Sequence, residues 1–167
     1  VADEEQGFLM GAFAALMTKT GKIGVIGGEA IPPITKAVEG FSVGAKYANP
    51  DVVVLSSMTG TFNDVNKIKE VALAQIDEGA DYIGAVANQG GLGAIEACVE
   101  RGVYAIGSGV DQFDAGPTAV VVSVAKDVSV AYDFAYSNYI EGKLEPGIHK
   151  IGAKEGLIYY TPYHDFE

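Results

Sequence analysis

Residues 81–102 read DYIGAVANQGGLGAIEACVERG, and this stretch decides the fold. A continuous apolar run from Tyr82 to Ala87 breaks at Asn88, Gln89, Gly90 and Gly91. The chain then resumes with apolar residues at helical spacing until Gly102. An unalternating apolar run predicts a strand buried on both faces, and a glycine just past a periodic segment predicts a helix end. Strand, glycine turn and helix together form the repeating unit of a parallel sheet.

The unit recurs on both sides. KIGVIGG (22–28) reads as a strand, followed by a helix over PPITKAVEGFSVGAKYANP (32–50) with proline near its start and Asn-Pro after its end. DVVVLSS (51–57) is a strand, MTGTFND (58–64) a loop, and VNKIKEVALAQIDEGA (65–80) a helix stopped by Gly79. VYAIGSG (103–109) is a strand and VDQFDAGP (110–117) a loop. TAVVVSVAKD (118–127) is a strand, and VSVAYDFAYSNYIEGK (128–143) a helix. GIHKIGAKEGLIYYTP (147–162) closes the chain as an extended stretch. The opening ADEEQGFLMGAFAALMTKTGK (2–22) has acids in its first turn and Lys19 and Gly21 at its end, as a helix requires. Its expected apolar face carries Phe8, Leu9, Ala12, Phe13, Leu16 and Met17. The expectation is one α/β domain over residues 1–167: a doubly wound parallel sheet with helices on both faces.

Composition limits the function. The 167 residues carry a formal net charge of −11, which argues against a nucleic-acid surface. No apolar run is long enough to cross a bilayer. The single cysteine, Cys98, excludes an intramolecular disulfide and a cysteine-based zinc site. Cys98 falls on a helix face with Leu92, Ile95 and Val99, which predicts a core thiol.

In doubly wound sheets ligands sit beyond the carboxyl ends of the strands. Four loops occupy that edge: GGEAIPP, MTGTFND, ANQGG and SGVDQFD. They carry Glu29, Phe62, Asn63, Asp64, Asn88, Gln89, Asp111 and Gln112. The turn at Gly90 and Gly91 matches neither a Walker-type loop, a dinucleotide fingerprint nor a nucleophile elbow. Its glycines either let the helix pack closely on the sheet or present N–H groups to an oxygen in the cleft. Asp111 either makes a local turn bond or accepts hydrogen bonds from vicinal hydroxyls. Phe62 either covers a core edge or offers a stacking surface. Lys126 either stays solvated or reaches the same edge. His149 and His164 lie outside the four loops, where structural polar contacts are the expectation. No nucleophile–base–orienter trio and no metal-spaced cluster is present, so neither an enzyme, a metal nor a cofactor is expected.

Several segments together resemble the basic membrane protein family, the substrate-binding lipoproteins of ABC importers that include purine nucleoside receptors. They are DEEQGFLMGAFAALMTKTGKIGVIGG, GFSVGAKYANPDVVVLSSMTGTFNDVNKIKEVALAQIDEGADYIGAVANQGGLGAIEAC, VYAIGSGVDQ and SVAKDVSVAYDFAYSNYIEGK. The resemblance covers nearly the whole chain. It implies one lobe of a two-lobed type I periplasmic binding protein fold, with the preceding lobe and the C-terminal return segment absent. It further implies that Phe62 stacks on a purine, Asp111 binds ribose hydroxyls, and Lys126 contacts the sugar side. Gly90 and Gly91 would line the cleft, with Asn88 beside them. Where members read VDSDQ this chain reads GSGVDQ, and ANQGG carries bulkier amides than many members. The implied partners are a nucleoside-like ligand, the missing lobe and an ABC permease. The implied location is extracytoplasmic, either lipid-anchored or periplasmic. Two other readings stand beside it: the effector-sensing lobe of a transcriptional regulator, and a small α/β enzyme acting on sugars or nucleosides.

Overall fold

The glycine-punctuated apolar runs form strands and the periodic segments between them form helices. The computed structural model describes residues 1–166. In chain order the elements are α1 (Asp3–Met17), β1 (Lys22–Gly27), α2 (Pro32–Ala48), β2 (Val53–Met58), α3 (Val65–Asp77) and β3 (Tyr82–Val86). They continue with α4 (Gly91–Arg101), β4 (Tyr104–Gly109), β5 (Val120–Lys126), α5 (Ser129–Ile140) and β6 (Ile158–Tyr160). Left-handed glycines end three helices: Gly79 (φ 104°) follows α3, Gly102 (φ 64°) follows α4 and Gly142 (φ 67°) follows α5.

The strands order as β2-β1-β3-β4-β5-β6 in one sheet. The first five are parallel, and β6 adds antiparallel to β5, with Val124 opposite Tyr160 and Lys126 opposite Ile158. The all-parallel expectation is therefore corrected at one edge. Because β6 is antiparallel it enters from the carboxyl end of β5, and Asp127 N–H donates to Leu157 O there at 2.7 Å.

Each face of the sheet has its own core. On one face, Ile23, Val25, Val86, Ile106, Val122 and Val124 pack with Met10 of α1 and Phe41 of α2. On the other, Ile26, Ile83, Ala85 and Val120 pack with Ile68 of α3 and with Ile95 and Cys98 of α4. Burial pushes the Cys98 thiol up to about 12, which leaves it a neutral core group. Its expected companions Leu92 and Val99 are instead exposed, because only the Ile95 and Cys98 side of α4 meets the sheet.

The expected apolar face of α1 is corrected in part: Leu9 and Phe13 pack half-buried on the core, but the fully buried positions are others. Gln6, Gly7, Met10, Gly11, Ala14 and Ala15 are buried, while Leu16 and Met17 are exposed. Small residues face inward because α1 crosses α2 at backbone contact. A Cβ on Gly7 would run into the carbonyl of Ala37, and one on Gly11 into that of Phe41. From α2, Gly40 meets the carbonyl of Glu4 and Gly44 that of Phe8. Gln6 is tolerated inside because its Nε2 donates to Val124 O at 2.9 Å.

Buried Tyr82 and half-buried Tyr160 make the fold sensitive to alkali. Burial pushes the phenols of Tyr82 and Tyr160 up to about 12, against an ordinary value of 10.0. The Tyr160 hydroxyl donates to Leu9 O at 2.7 Å, a bond that the phenolate cannot make. The unfolded chain releases these protons first, so stability is full below the ordinary value and falls as pH climbs toward the folded value. Denaturant midpoints are expected to hold to about pH 9 and to fall above about pH 10, with a smaller fall in Tyr160→Phe. A wild-type midpoint unchanged at about pH 11 contradicts this.

Candidate functional site

The strand order reverses direction of growth between β1 and β3, so the connections leaving these neighbours diverge and open a crevice at their carboxyl ends. The loop after β2 is stitched onto that point. Thr59 donates to Gly27 O from its N–H at 3.0 Å and from its hydroxyl at 3.1 Å. Gly60 N–H reaches Gly28 O at 3.0 Å, and Gly28 N–H reaches Val86 O at 3.0 Å.

This stitching seats Phe62 over the switch point. Its ring lies against Gly28, where a Cβ would stand 2.6 Å from Cδ1. Its carbonyl accepts the Gly90 N–H at 2.8 Å, and a Cβ on Gly90 would stand 2.9 Å from that oxygen. Gly28 and Gly90 are thus the floor on which the half-buried Phe62 rests. Asp64 completes the loop by capping α3, accepting the Lys67 N–H at 3.0 Å.

At the Gly90–Gly91 turn the close contacts are those of Gly90 with Phe62 and Ile68, while Gly91 stands at ordinary distance from Ala85 of the sheet. Gly91 N–H donates to Ala87 O at 3.2 Å, so both glycine N–H groups are engaged inside the protein, and both glycines are buried. Asn88, by contrast, is exposed and sits in the left-handed region at φ 44°, a conformation that asparagine tolerates better than most residues.

A second opening adjoins it. The β3–β4 ladder stops at Gly84 opposite Ile106, while β3 continues along β1 to Val86 and β4 along β5 to Gly109. The two strands part, and side chains replace the ladder. Ser108 Oγ donates to Ala85 O at 2.6 Å, and Ser108 N–H donates to Gln112 Oε1 at 2.8 Å. Gln112 N–H is in turn held by Ser123 Oγ at 3.0 Å. The gap is a pocket of about 330 Å³ lined by Asn88, Gln89, Leu92, Ser108 and Gln112, with Gly109 and Val110 at its rim. None of these side chains ionises.

Asp111 and Lys126 do not line this pocket. Asp111 Oδ1 accepts the Phe113 N–H at 3.1 Å, the local turn bond, and Oδ2 faces His164 Nε2 at 2.8 Å. The His164 ring stacks on Phe113, with centroids 4.1 Å apart and planes 20° from parallel. Lys126 lies at the carboxyl end of β5, where its ammonium pairs with Asp3 Oδ1 at 2.5 Å; the two side chains are 20% and 18% exposed. His164 is the residue that sequence reading leaves out of the site. It contacts a loop 53 positions away, and no local pattern announces such a contact. The edge as a whole offers an aromatic face, free amides and the exposed carboxylates of Glu29, Asp64 and Asp111: groups suited to holding a small polar molecule.

A family model described as "ABC transporter substrate-binding protein PnrA-like" matches residues 2–164. Among curated relatives, "Basic membrane protein A2" of Borrelia garinii subsp. bavariensis is 38% identical over 159 residues, covering 93% of this chain and 47% of that protein. Among solved structures, an ABC transporter solute-binding protein from Aeropyrum pernix superposes with a TM-score of 0.80 at 29% identity, covering 96% of this chain and 48% of that one. A "Transcriptional Activator of comK gene" from Bacillus halodurans superposes with a TM-score of 0.82 at 29% identity, covering 97% of this chain and 56% of that one. The chain spans about half the length of the curated relatives it matches.

Proposed function

The chain belongs to the family of PnrA-like ABC transporter substrate-binding proteins, and on that premise we propose that it is the ligand-binding lobe of an importer's receptor for a purine nucleoside or a related small polar molecule. The receptor works outside the cytoplasm, lipid-anchored or periplasmic, and hands its ligand to an ABC permease. It binds and releases; it does not transform.

The observation that carries this reading is Phe62 over the switch point. A flat ring that rests on Gly28, on a backbone pinned by the Gly90 N–H, has little freedom left to lose when a base stacks on it. Asp111 supports the sugar side. A carboxylate has about four lone-pair sites, so the bonds from Phe113 and His164 leave capacity for a ligand hydroxyl. Lys126 contributes beside it by exchanging part of its pairing with Asp3.

A second lobe is part of the proposal, and α5 supports it. No residue of α5 is buried, and Tyr132, Tyr136 and Tyr139, spaced to share one helix face, are 74%, 67% and 73% exposed. The helix rests on the core through half-buried Val130, Ala131 and Phe134, so its tyrosine face is the one left without a cover. The half that the relatives possess beyond this chain is the cover we assign to it.

The similarity to the "Transcriptional Activator of comK gene" supports a second reading, in which the same lobe senses an effector for gene regulation. Copurification with a permease favours the importer, and ligand-dependent DNA retention favours the regulator.

In the protein with both halves, Phe62→Ala is expected to weaken nucleoside binding by about 1–3 kcal/mol, roughly five- to 150-fold, with Phe62→Tyr retaining most of it. Calorimetric titration measures this. Unchanged affinity in Phe62→Ala means that the ring only covers the core and that the proposed stacking site is wrong.

A further inference from the structure

The pocket where β3 and β4 part has a feature that stacking and sugar contacts leave unused. Gln112 is fixed from both ends: its own N–H is held by Ser123 Oγ, and its Oε1 accepts the Ser108 N–H. An N–H donor can be met only by the amide oxygen, so the orientation of this carboxamide is set by the backbone. Its Nε2 is the remaining polar end. It makes no hydrogen bond among the described residues, in a side chain that lines the pocket. Asn88 and Gln89, across the opening, likewise make no side-chain hydrogen bond among the described residues.

We propose that Gln112 is a specificity-determining residue: its Nε2 donates into the β3–β4 pocket to a carbonyl oxygen of an uncharged ligand. Asn88 and Gln89 adapt their amides to the neighbouring edge. The pocket favours uncharged ligands because no lining side chain carries a counter-charge and the protein as a whole is strongly acidic. A ligand with an amino group at that position meets a donor with a donor. A polar pocket group left unpaired by the wrong ligand discriminates far more sharply than an apolar contact does. This inference rests on the nucleoside reading above.

The test is heteronuclear NMR on this chain with inosine, which carries a ring carbonyl, and adenosine, which carries an amino group there, each titrated to about 10 mM. Inosine is expected to move the Gln112 side-chain amide signals progressively, together with the backbone signals of residues 88–92 and 108–112. Adenosine is expected to move the Gln112 signals less. Gln112→Glu keeps an acceptor for Ser108 N–H and loses the donor. It is expected to retain the wild-type melting temperature while losing inosine affinity about tenfold or more. If inosine binds but leaves the Gln112 amide unmoved, or if Gln112→Glu binds inosine like the wild type, Gln112 does not read the ligand and the nucleoside site lies elsewhere. If neither nucleoside perturbs any signal of the wild-type chain, the nucleoside reading itself falls and takes this inference with it. The wild-type side-chain signals decide the matter even if the variant fails to fold.

Discussion

Replacing Gly7 and Gly11 together by alanine is expected to destabilise the chain by at least about 3 kcal/mol, a fall in melting temperature on the order of 10 °C. In an ordinary exposed helix the same change raises stability, because alanine exceeds glycine in helix propensity by about 1 kcal/mol per site. The opposite sign is expected here because no room exists. The two glycines of α1 sit four apart and press on the carbonyls of Ala37 and Phe41, while Gly40 and Gly44 of α2, also four apart, press on those of Glu4 and Phe8. The contacted atoms are backbone, so relief requires the helices to separate, not a rotamer to change. Separation would open the core where Met10 and Phe41, both fully buried, meet the sheet. Single alanines at either position should each cost about 1–3 kcal/mol, and Leu16→Ala on the exposed side of the same helix within about 0.5 kcal/mol of nothing. Thermal denaturation of the four variants beside the wild type decides it: a double variant as stable as the wild type would mean that α1 and α2 are not held by this crossing.

The same crossing shows where the sequence could be read and where it could not. Strands β1, β3 and β5 were legible because each is an apolar run bounded by turn residues. The termini of α3 and α4 were legible because Gly79 and Gly102 are local signals. The inward face of α1 was not, because hydropathy ranks Leu16 and Met17 above Gly7 and Gly11, whereas a close helix crossing selects for small size. The direction of β6 was equally hidden. Pairing of Ile158 with Lys126 depends on where the chain returns after α5, and nothing in GLIYY specifies an antiparallel partner. At the site, the loops and their polar residues could be listed from topology alone. Their alliances could not. That Lys126 pairs with Asp3, and Asp111 with His164, are long-range facts. The parting of β3 from β4 depends on register, which no single strand encodes.

Joining the remaining half to this chain is expected to lower the dissociation constant for a nucleoside from about millimolar to about micromolar, a gain of roughly 4 kcal/mol. On the reading proposed above, this lobe would supply one aromatic face, one set of amides and the Asp111 carboxylate, and would leave the other side of the ligand in water. It still bears nearly the whole cost of immobilising the ligand, because that cost does not halve with the contacts. The second lobe therefore adds contact and water exclusion against an entropy loss already met. It also covers the tyrosine face of α5, which should raise the stability of that helix and shield Tyr132, Tyr136 and Tyr139 from quenchers in solution. The chain alone should nevertheless melt cooperatively, since α1 and α2 cover one face of its sheet and α3 and α4 the other. Its transition should not move with about 50 μM adenosine, guanosine or inosine, because ligand stabilises only when its concentration well exceeds the dissociation constant. The joined protein should shift at that concentration with at least one of the three. Micromolar binding by the chain alone would show that one lobe suffices, and the role assigned to the exposed face of α5 would then need a different occupant.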